Sequence, residues 1–469
     1  MPLFARTTTP TLERLRRAPA DLAEVLAART PAAVTLWLGS TPTDEVDAQV
    51  AALDRRELTQ LADVLTPESA SRLMDRLEPH TAGMLLDAVP APTAAGLLGL
   101  LPEDEASRVV RTLDADVAAR VLASLPNAQS ALLRGLLAWP EESAASWMRP
   151  AYLHVDQDAR VADALAAARR DPDCADEGVY VDRRPVHAHA FSDEAALLGW
   201  IPLRALVVAD PDAPVTGVMV ARDELRGWSV SALADQEHVL RAADDSPDGV
   251  VPVLEDGVLL GVITRDGVQS IREEEGDEDA ALQGGTSPLG RPYLQASPWR
   301  LWRARAPWLA VLFLAEMYTG TVLRAFEDEL SHVVALAFFI PLLIGTGGNV
   351  GTQITTTLIR AMGSEGLRAR DLVRVVWKES RTGVLLGLSM AAMGAARAWT
   401  LGVGGPVILT VALSLAAIVL WASLIAAVLP LILRRIGIDP AVVSSPMIAT
   451  IVDGTGLMIY FTIARAVAL

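Results

Sequence analysis

Three different patterns of apolar residues follow one another along the chain. In the first, Leu65, Leu77, Val89, Leu101, Leu113 and Leu125 recur every twelve residues. Five places after each stands a small residue: Ala70, Ala82, Ala94, Ala106, Ala118 and Ser130. Eight places after each stands Leu73, Leu85, Leu97, Val109, Val121 or Leu133. Pro67, Pro79, Pro90, Pro92, Pro102 and Pro126 cluster just after the first position, where the opening turn of a helix tolerates proline. Each unit therefore predicts one short helix opened by a turn. The small residue admits the neighbouring helix, the Leu/Val pair forms the core, and such units stack into a superhelix.

From about Met148 to Ile271 the pattern becomes mixed α/β. The apolar runs Glu177–Asp182, Ala205–Asp210, Gly249–Asp256 and Leu259–Asp266 predict strands. "ARVADALAAARR" and "QEHVLRAADD" predict helices, and the stretch Ala209–Val215, rich in Asp and Pro, divides two similar halves. The carboxylate-dense Arg272–Ala280 follows, then Gln283–Pro298, whose Gly and Pro residues predict an irregular linker.

Everything after Trp299 has membrane hydropathy. Five spans are expected, at roughly 307–326, 331–359, 382–401, 405–433 and 441–468. Arg300, Arg303, Arg305, the basic stretch Arg360–Arg381, Arg434 and Arg435 flank one side, and "FEDEL" lies on the other. The positive-inside rule then places the N-terminal block in the cytoplasm and the C-terminus outside.

Charge sharpens this division. Up to Gln295 the chain holds 48 acidic and 26 basic residues; the remainder holds 9 and 14. So acidic a surface repels nucleic acid and anionic lipid and attracts cations, so nucleic acid is not expected as a partner. Cys174 is the sole cysteine, which excludes an internal disulfide and fits a reducing compartment. The N-terminus shows no apolar signal core, so no secretory leader is expected. "HAH", His187–His189, has no cysteine partner nearby and reads as surface. No "GxxxxGK[ST]" is present, and an enzyme is not expected.

Polar groups inside the spans are the candidate chemistry. Asp453, in the fifth span, needs water or a partner at that depth, and Glu316 in the first span raises the same question. "GTGGNVGTQ", Gly345–Gln353, puts four glycines and two amides within the second span. Irregular backbone there is tolerated only where it lines a cavity, so Gly345, Gly347, Gly348 and Gly351 are expected to loosen the span and expose carbonyls to a pore. A hydrated Mg²⁺ takes one or two carboxylates, and Asn349 and Gln353 can bond its water shell. No His or Cys lies near to select zinc or copper.

"IPLLIGTGGNVGTQ" (Ile340–Gln353), "IDPAVVSSP" (Ile438–Pro446) and "IVDGTGLMIYFTIAR" (Ile451–Arg465) resemble the MgtE family of magnesium channels and transporters over nearly the whole chain. The resemblance implies a multidomain membrane protein. Residues 1–145 would be a helical N domain, 146–212 and 213–272 a pair of α/β CBS domains, 273–306 a connecting linker or helix, and 307–469 an all-α pore domain of five transmembrane helices. It implies a homodimer in the lipid bilayer with the pore between subunits, Asp453 as pore carboxylate, and Asn349 and Gln353 in the glycine-rich motif. It further implies that Mg²⁺ closes the pore by binding acidic faces, where Glu275, Glu278, Asp279 and Asp116 match. The chain departs from the family pattern at Gly267, Ser270 and Arg120, where acids can occur, and the first CBS half lacks the usual tight hairpin. Nucleotide binding at the CBS pair is a family possibility for which these residues give no separate support. Two other readings remain: transport of Co²⁺ or Mn²⁺, and a membrane-anchored CBS-domain sensor.

Overall fold

A computed structural model describes residues 21–172, 174–183, 197–289, 293, 296–364, 367, 369–436, 438–442 and 445–468. "HAH" and most of the first-half hairpin region lie outside these described residues. The chain divides into two compact units, residues 1–273 and 274–469.

The first unit opens with the helical repeat. Helices Pro67–Met74, Pro79–Ala88, Ala91–Leu98, Glu103–Thr112, Ala115–Ser124 and Asn127–Leu137 each occupy one twelve-residue unit. Helices two places apart pack together, which winds the array into a superhelix. The small residues Ala70, Ala82, Ala94 and Ala106 are buried, as are Leu73, Leu85, Val109 and Leu133. Ala118 and Ser130, in the last two units, are only half-buried. The repeat also begins one unit earlier than the periodicity suggests. Helix Arg55–Asp63 buries Leu58 and Leu61 at the same offsets from Leu53, but a large residue fills the small position. Half-buried arginines tie helix ends across the array: Arg111 donates to the carbonyls of Leu136 and Trp139, and Arg76 to that of Leu38. These carbonyls lie in the last turn of a helix or in a loop, where the regular helical ladder runs out.

Two small sheets follow. The first joins β1 (Leu153–Asp156), β2 (Val179–Asp182), β3 (Leu197–Ile201) and β4 (Val220–Ala221) in that order. The second joins β5 (Val230–Ser231), β6 (Val251–Glu255) and β7 (Val258–Ile263). In each, a parallel pair connected through a helix precedes an antiparallel pair, so the two halves share one β-α-β-β plan. Helices Val161–Arg170 and Gln236–Asp245 supply the crossovers. The expected strand at Ala205–Asp210 is instead helix Leu203–Val208. Its β-branched Val207 and Val208 are 68% and 85% exposed, so no sheet recruits them.

The solenoid and the second sheet share one hydrophobic core, running from Leu133 and Leu136 through Trp147 and Met148 to Val253 and Ile263. The backbone of the intervening segment pairs with that sheet: Ala144 and Ala145 donate to the carbonyls of Ala234 and Ala232. Arg149 and Val262 exchange both backbone hydrogen bonds.

Helix Arg265–Gln283 carries the acidic run and crosses the division between the units. It stops where Gly285 adopts a left-handed φ of 69°, and Thr286 donates back to the carbonyl of Ala281. The next long helix begins at Pro298.

Among the described residues the second unit holds five long helices: Pro298–Ala325, Ile340–Ser364 (preceded by a 3₁₀ segment, Val334–Phe339), Leu372–Thr400, Gly405–Arg435 and Ser445–Val467. All but the third are long and apolar enough to cross a membrane. The third carries Arg374, Lys378, Glu379 and Arg381 in its opening turns, and its apolar part follows them. The fourth helix is central, packing on the second, third and fifth, while the first packs mainly on the fifth. Small residues set the closest approach of the third and fourth. A side chain at Gly387 would meet the backbone of Ala416 at 3.0 Å, and one at Gly383 would meet Ser423 Oγ at 2.7 Å.

Candidate cation path

The glycine-rich segment is regular α-helix throughout, Ile340–Ser364, rather than a loosened span. Its carbonyls therefore serve the helix's own ladder, which is how backbone is satisfied in lipid. The glycines have a different use. A Cβ at Gly347 would lie 2.7 Å from both Ile418 Cγ2 and Val452 Cγ1, and one at Gly351 would lie 2.5 Å from Ile448 Cγ2. Methyl groups of the fourth and fifth helices thus occupy the space that side chains would need. Gly348 faces the fifth helix too: a Cβ there would stand 3.3 Å from Ala449 Cβ and 3.8 Å from Asp453 Oδ1. Gly345 has open space around it.

Asp453 is half-buried in helix Ser445–Val467, beside the glycine face of the second helix. Among the described residues it makes no hydrogen bond or ion pair, and Glu316 of the first helix is near enough for their like charges to interact. Asn349 and Gln353 lie one turn apart on the second helix, with Gly345 a turn before, and all three are exposed. A polar stripe on an apolar helix is thus left uncovered by its own subunit. Thr346 and Thr357, nearby on this helix, turn their hydroxyls back to the carbonyls of Leu342 and Gln353. Glu316 sits in an open groove of about 950 Å³ between the first and fifth helices, with Thr450, Pro446, Phe313 and Arg305 also on its wall. Thr450, one turn before Asp453, was not singled out by sequence. A hydroxyl within the apolar run "MIATIVDG" was the available signal.

The fifth helix is pinned on its other sides. Tyr460 donates to the carbonyl of Leu336 at 2.9 Å, and Trp421 Nε1 donates to Thr455 Oγ1 at 2.9 Å. Phe326 stacks on Phe461, with the Arg465 guanidinium over the Phe326 ring.

Glu275, Glu278 and Asp279 share one half-buried face of helix Arg265–Gln283. Asp116 is exposed in the first turn of helix Ala115–Ser124, in the other unit. Among the described residues no three His, Cys, Asp or Glu side chains form a group able to hold a metal ion. One acidic crowd does occur within the first unit. Burial, then Asp47 and Glu273, push the Glu78 carboxyl above its ordinary range, with Arg108 opposing them.

Comparison with known proteins gives this arrangement its relatives. A family model described as divalent cation transporter (MgtE) matches residues 340–463, and one described as MgtE intracellular N domain matches residues 18–142. The magnesium transporter MgtE of Thermus thermophilus is 38% identical over 338 residues, covering 71% of this chain and 72% of its own. That of Bacillus subtilis is 29% identical over 349 residues, covering 73% and 74%. The crystal structure of the soluble part of a magnesium transporter aligns with 54% of this chain and 96% of its own, at 24% identity and a TM-score of 0.46. With a 38% identical relative covered over most of its length and family matches at both ends, the chain belongs to the MgtE family of divalent-cation transporters.

Proposed function

We propose that this protein is a gated path for Mg²⁺ influx down its electrochemical gradient, formed between two copies of the chain. Asp453 is the observation that carries the reading. A carboxylate within a membrane helix, unpaired among the described residues and set against glycine backbone, calls for a cation or water. The exposed stripe of Asn349 and Gln353 supports a second copy across the path, because such amides are poorly placed against lipid tails. Two Asp453 carboxylates and amides directed at a water shell suit an ion that keeps much of its hydration.

Closure by Mg²⁺ on the side of the acidic block completes the proposal. The carboxylate crowding at Glu78, Asp47 and Glu273, and the acidic face of Glu275, Glu278 and Asp279, support it. A divalent cation that binds such a face more tightly in a closed arrangement shifts the equilibrium toward it. The proposed setting is a bacterial inner membrane with the acidic block in the cytoplasm.

Uptake into proteoliposomes tests both parts. Wild-type protein is expected to take up Mg²⁺, and Asp453→Ala to fall to the level of empty vesicles. Equal uptake by both removes Asp453 from the path. Mg²⁺ on the acidic-block face is expected to slow wild-type uptake, and replacing Glu275, Glu278 and Asp279 by their amides to relieve that inhibition. Competition by Co²⁺ and Mn²⁺ in the same assay reports selectivity.

A further inference from the structure

Glu316 is a second carboxylate within the membrane helices, and its own subunit leaves it exposed on the first of them. A bare carboxylate against lipid is costly, so it calls for water, an ion or a partner. Among the described residues it makes no hydrogen bond or ion pair. The fifth helix stands beside it. The charges of Glu316 and Asp453 lie near enough to interact. Glu316 also shares the wall of the 950 Å³ groove with Thr450, one turn before Asp453. The Thr450 hydroxyl donates to the carbonyl of Pro446 at 3.0 Å, which leaves its oxygen able to accept from a water. A further hydroxyl points to the same place. Thr319, one turn after Glu316, is 6% exposed, and its Oγ1 has no hydrogen-bond partner among the described residues. A helical threonine usually donates back to a carbonyl one turn earlier, as Thr321 does to Met317. Thr319 is aimed at the fifth helix instead: a Cβ at Gly454, next to Asp453, would stand 3.3 Å from its Oγ1. The two helices are held in register here. The Tyr318 ring fills the space that a side chain at Gly454 would need, and its hydroxyl donates to Met458 Sδ at 2.7 Å.

We propose that Glu316 is a second cation-binding carboxylate, which with Asp453 holds one hydrated divalent cation in the groove between the first and fifth helices of a single subunit. The proposal deepens the reading of Asp453 as part of an Mg²⁺ path and rests on that reading for its use. Two carboxylates that sense each other without sharing a hydrogen bond leave room for an ion that keeps its waters. Thr319 and Thr450 offer oxygens to that water shell, one from each helix. Two carboxylates cancel the charge of a divalent ion. A monovalent ion would leave one of them bare at a depth where bare charge is costly. Glu316 is therefore a determinant of specificity as well as a ligand.

Thiol labelling of the full-length protein in lipid nanodiscs tests it. Cys174 is the sole cysteine, so Cys174→Ser with Thr450→Cys places a single thiol in the groove. In chelator a water-soluble thiosulfonate is expected to label it, and millimolar Mg²⁺ to slow labelling about tenfold. Adding Glu316→Gln is expected to abolish the slowing, and Glu316→Asp, which keeps the charge, to retain most of it. Slowing of equal size in Glu316→Gln would overturn the proposal, as would a parent rate that Mg²⁺ leaves unchanged. A thiol that resists labelling in chelator would overturn it too, because a groove without water holds no hydrated ion. Closure driven from the acidic block would slow labelling alike with Glu or Gln at 316, so it does not imitate the expected result. Should Glu316→Gln fail to fold, Glu316→Leu, apolar on a membrane helix, replaces it with the same expected outcome. In proteoliposomes, Glu316→Gln alone is expected to raise the Mg²⁺ concentration for half-maximal uptake about tenfold and to let Na⁺ compete. Uptake identical to wild type would refute the assignment. If Asp453→Ala takes up Mg²⁺ as wild type does, the path reading falls, and labelling still decides whether Glu316 binds the ion.

Discussion

At Gly348 the missing side chain leaves the Asp453 carboxylate against bare helix backbone, and the residue scale is where the candidate path is most legible. "GTGGNVGTQ" and the later aspartate both announce themselves, because glycines, amides and a carboxylate are rare in a 20-residue apolar run. Their use was less legible. Sequence shows that the side chains are small, but only the neighbours Ile418, Ile448 and Val452 show that the space is filled. Asp182 makes a separate prediction. It is 2% exposed, its Oδ2 has no hydrogen-bond partner among the described residues, and burial pushes its carboxyl up to about 6 from an ordinary 3.8. Below the ordinary value both folded and unfolded states hold the proton. Between the two values the unfolded state has released it and the folded state has not, so stability falls as pH rises from about 4 to about 6 and stays reduced above. Asp182→Asn is expected to abolish that decline and to stabilise the protein at neutral pH by up to about 3 kcal/mol. Chemical denaturation across this pH range checks it; parallel profiles for the two proteins would refute it.

Helices are more legible in this sequence than strands. The twelve-residue units came through because each places a buried Leu or Val and a small residue at fixed offsets, and that regularity repeats six times. Strands β4 and β5 are two residues each, too short for any alternation to register. Leu203–Val208 misled in the opposite direction, since two adjacent valines promise a buried strand that solvent exposure denies. The second membrane helix gives the element-scale prediction. Gly347→Val is expected to force the second helix away from Ile418 and Val452 and to destabilise the helix bundle by roughly 1–3 kcal/mol. Gly345→Ala, with open space around it, is expected to leave the melting temperature unchanged. Thermal melts in detergent distinguish the two, and equal effects would show that the glycines are not there for packing.

Across the whole molecule, charge and hydropathy divide the chain near the place where the structure does. The acidic excess lies before Gln295, and the compact units meet at Glu273 and Glu274. What sequence could not supply was the continuous core that makes one body of solenoid and second sheet, since Leu133 and Ile263 lie far apart along the chain. So large an excess of like charge opposes compaction. Thermal unfolding of the full chain is therefore expected to shift upward as salt rises from low to physiological strength, and further with Mg²⁺. A melting temperature indifferent to both would show that the charges are already neutralised within the fold. The notches at Gly347 and Gly351, filled by Val452 and Ile448, carry one last consequence. They act as a key cut for a single register. Sliding the second helix by one residue along the fifth would bring Val350 or Thr352 to the place of Gly351 and drive it into a methyl group. The height of the amides above the carboxylate is thus a fixed ruler, and the proposed opening of the path would move both helices together.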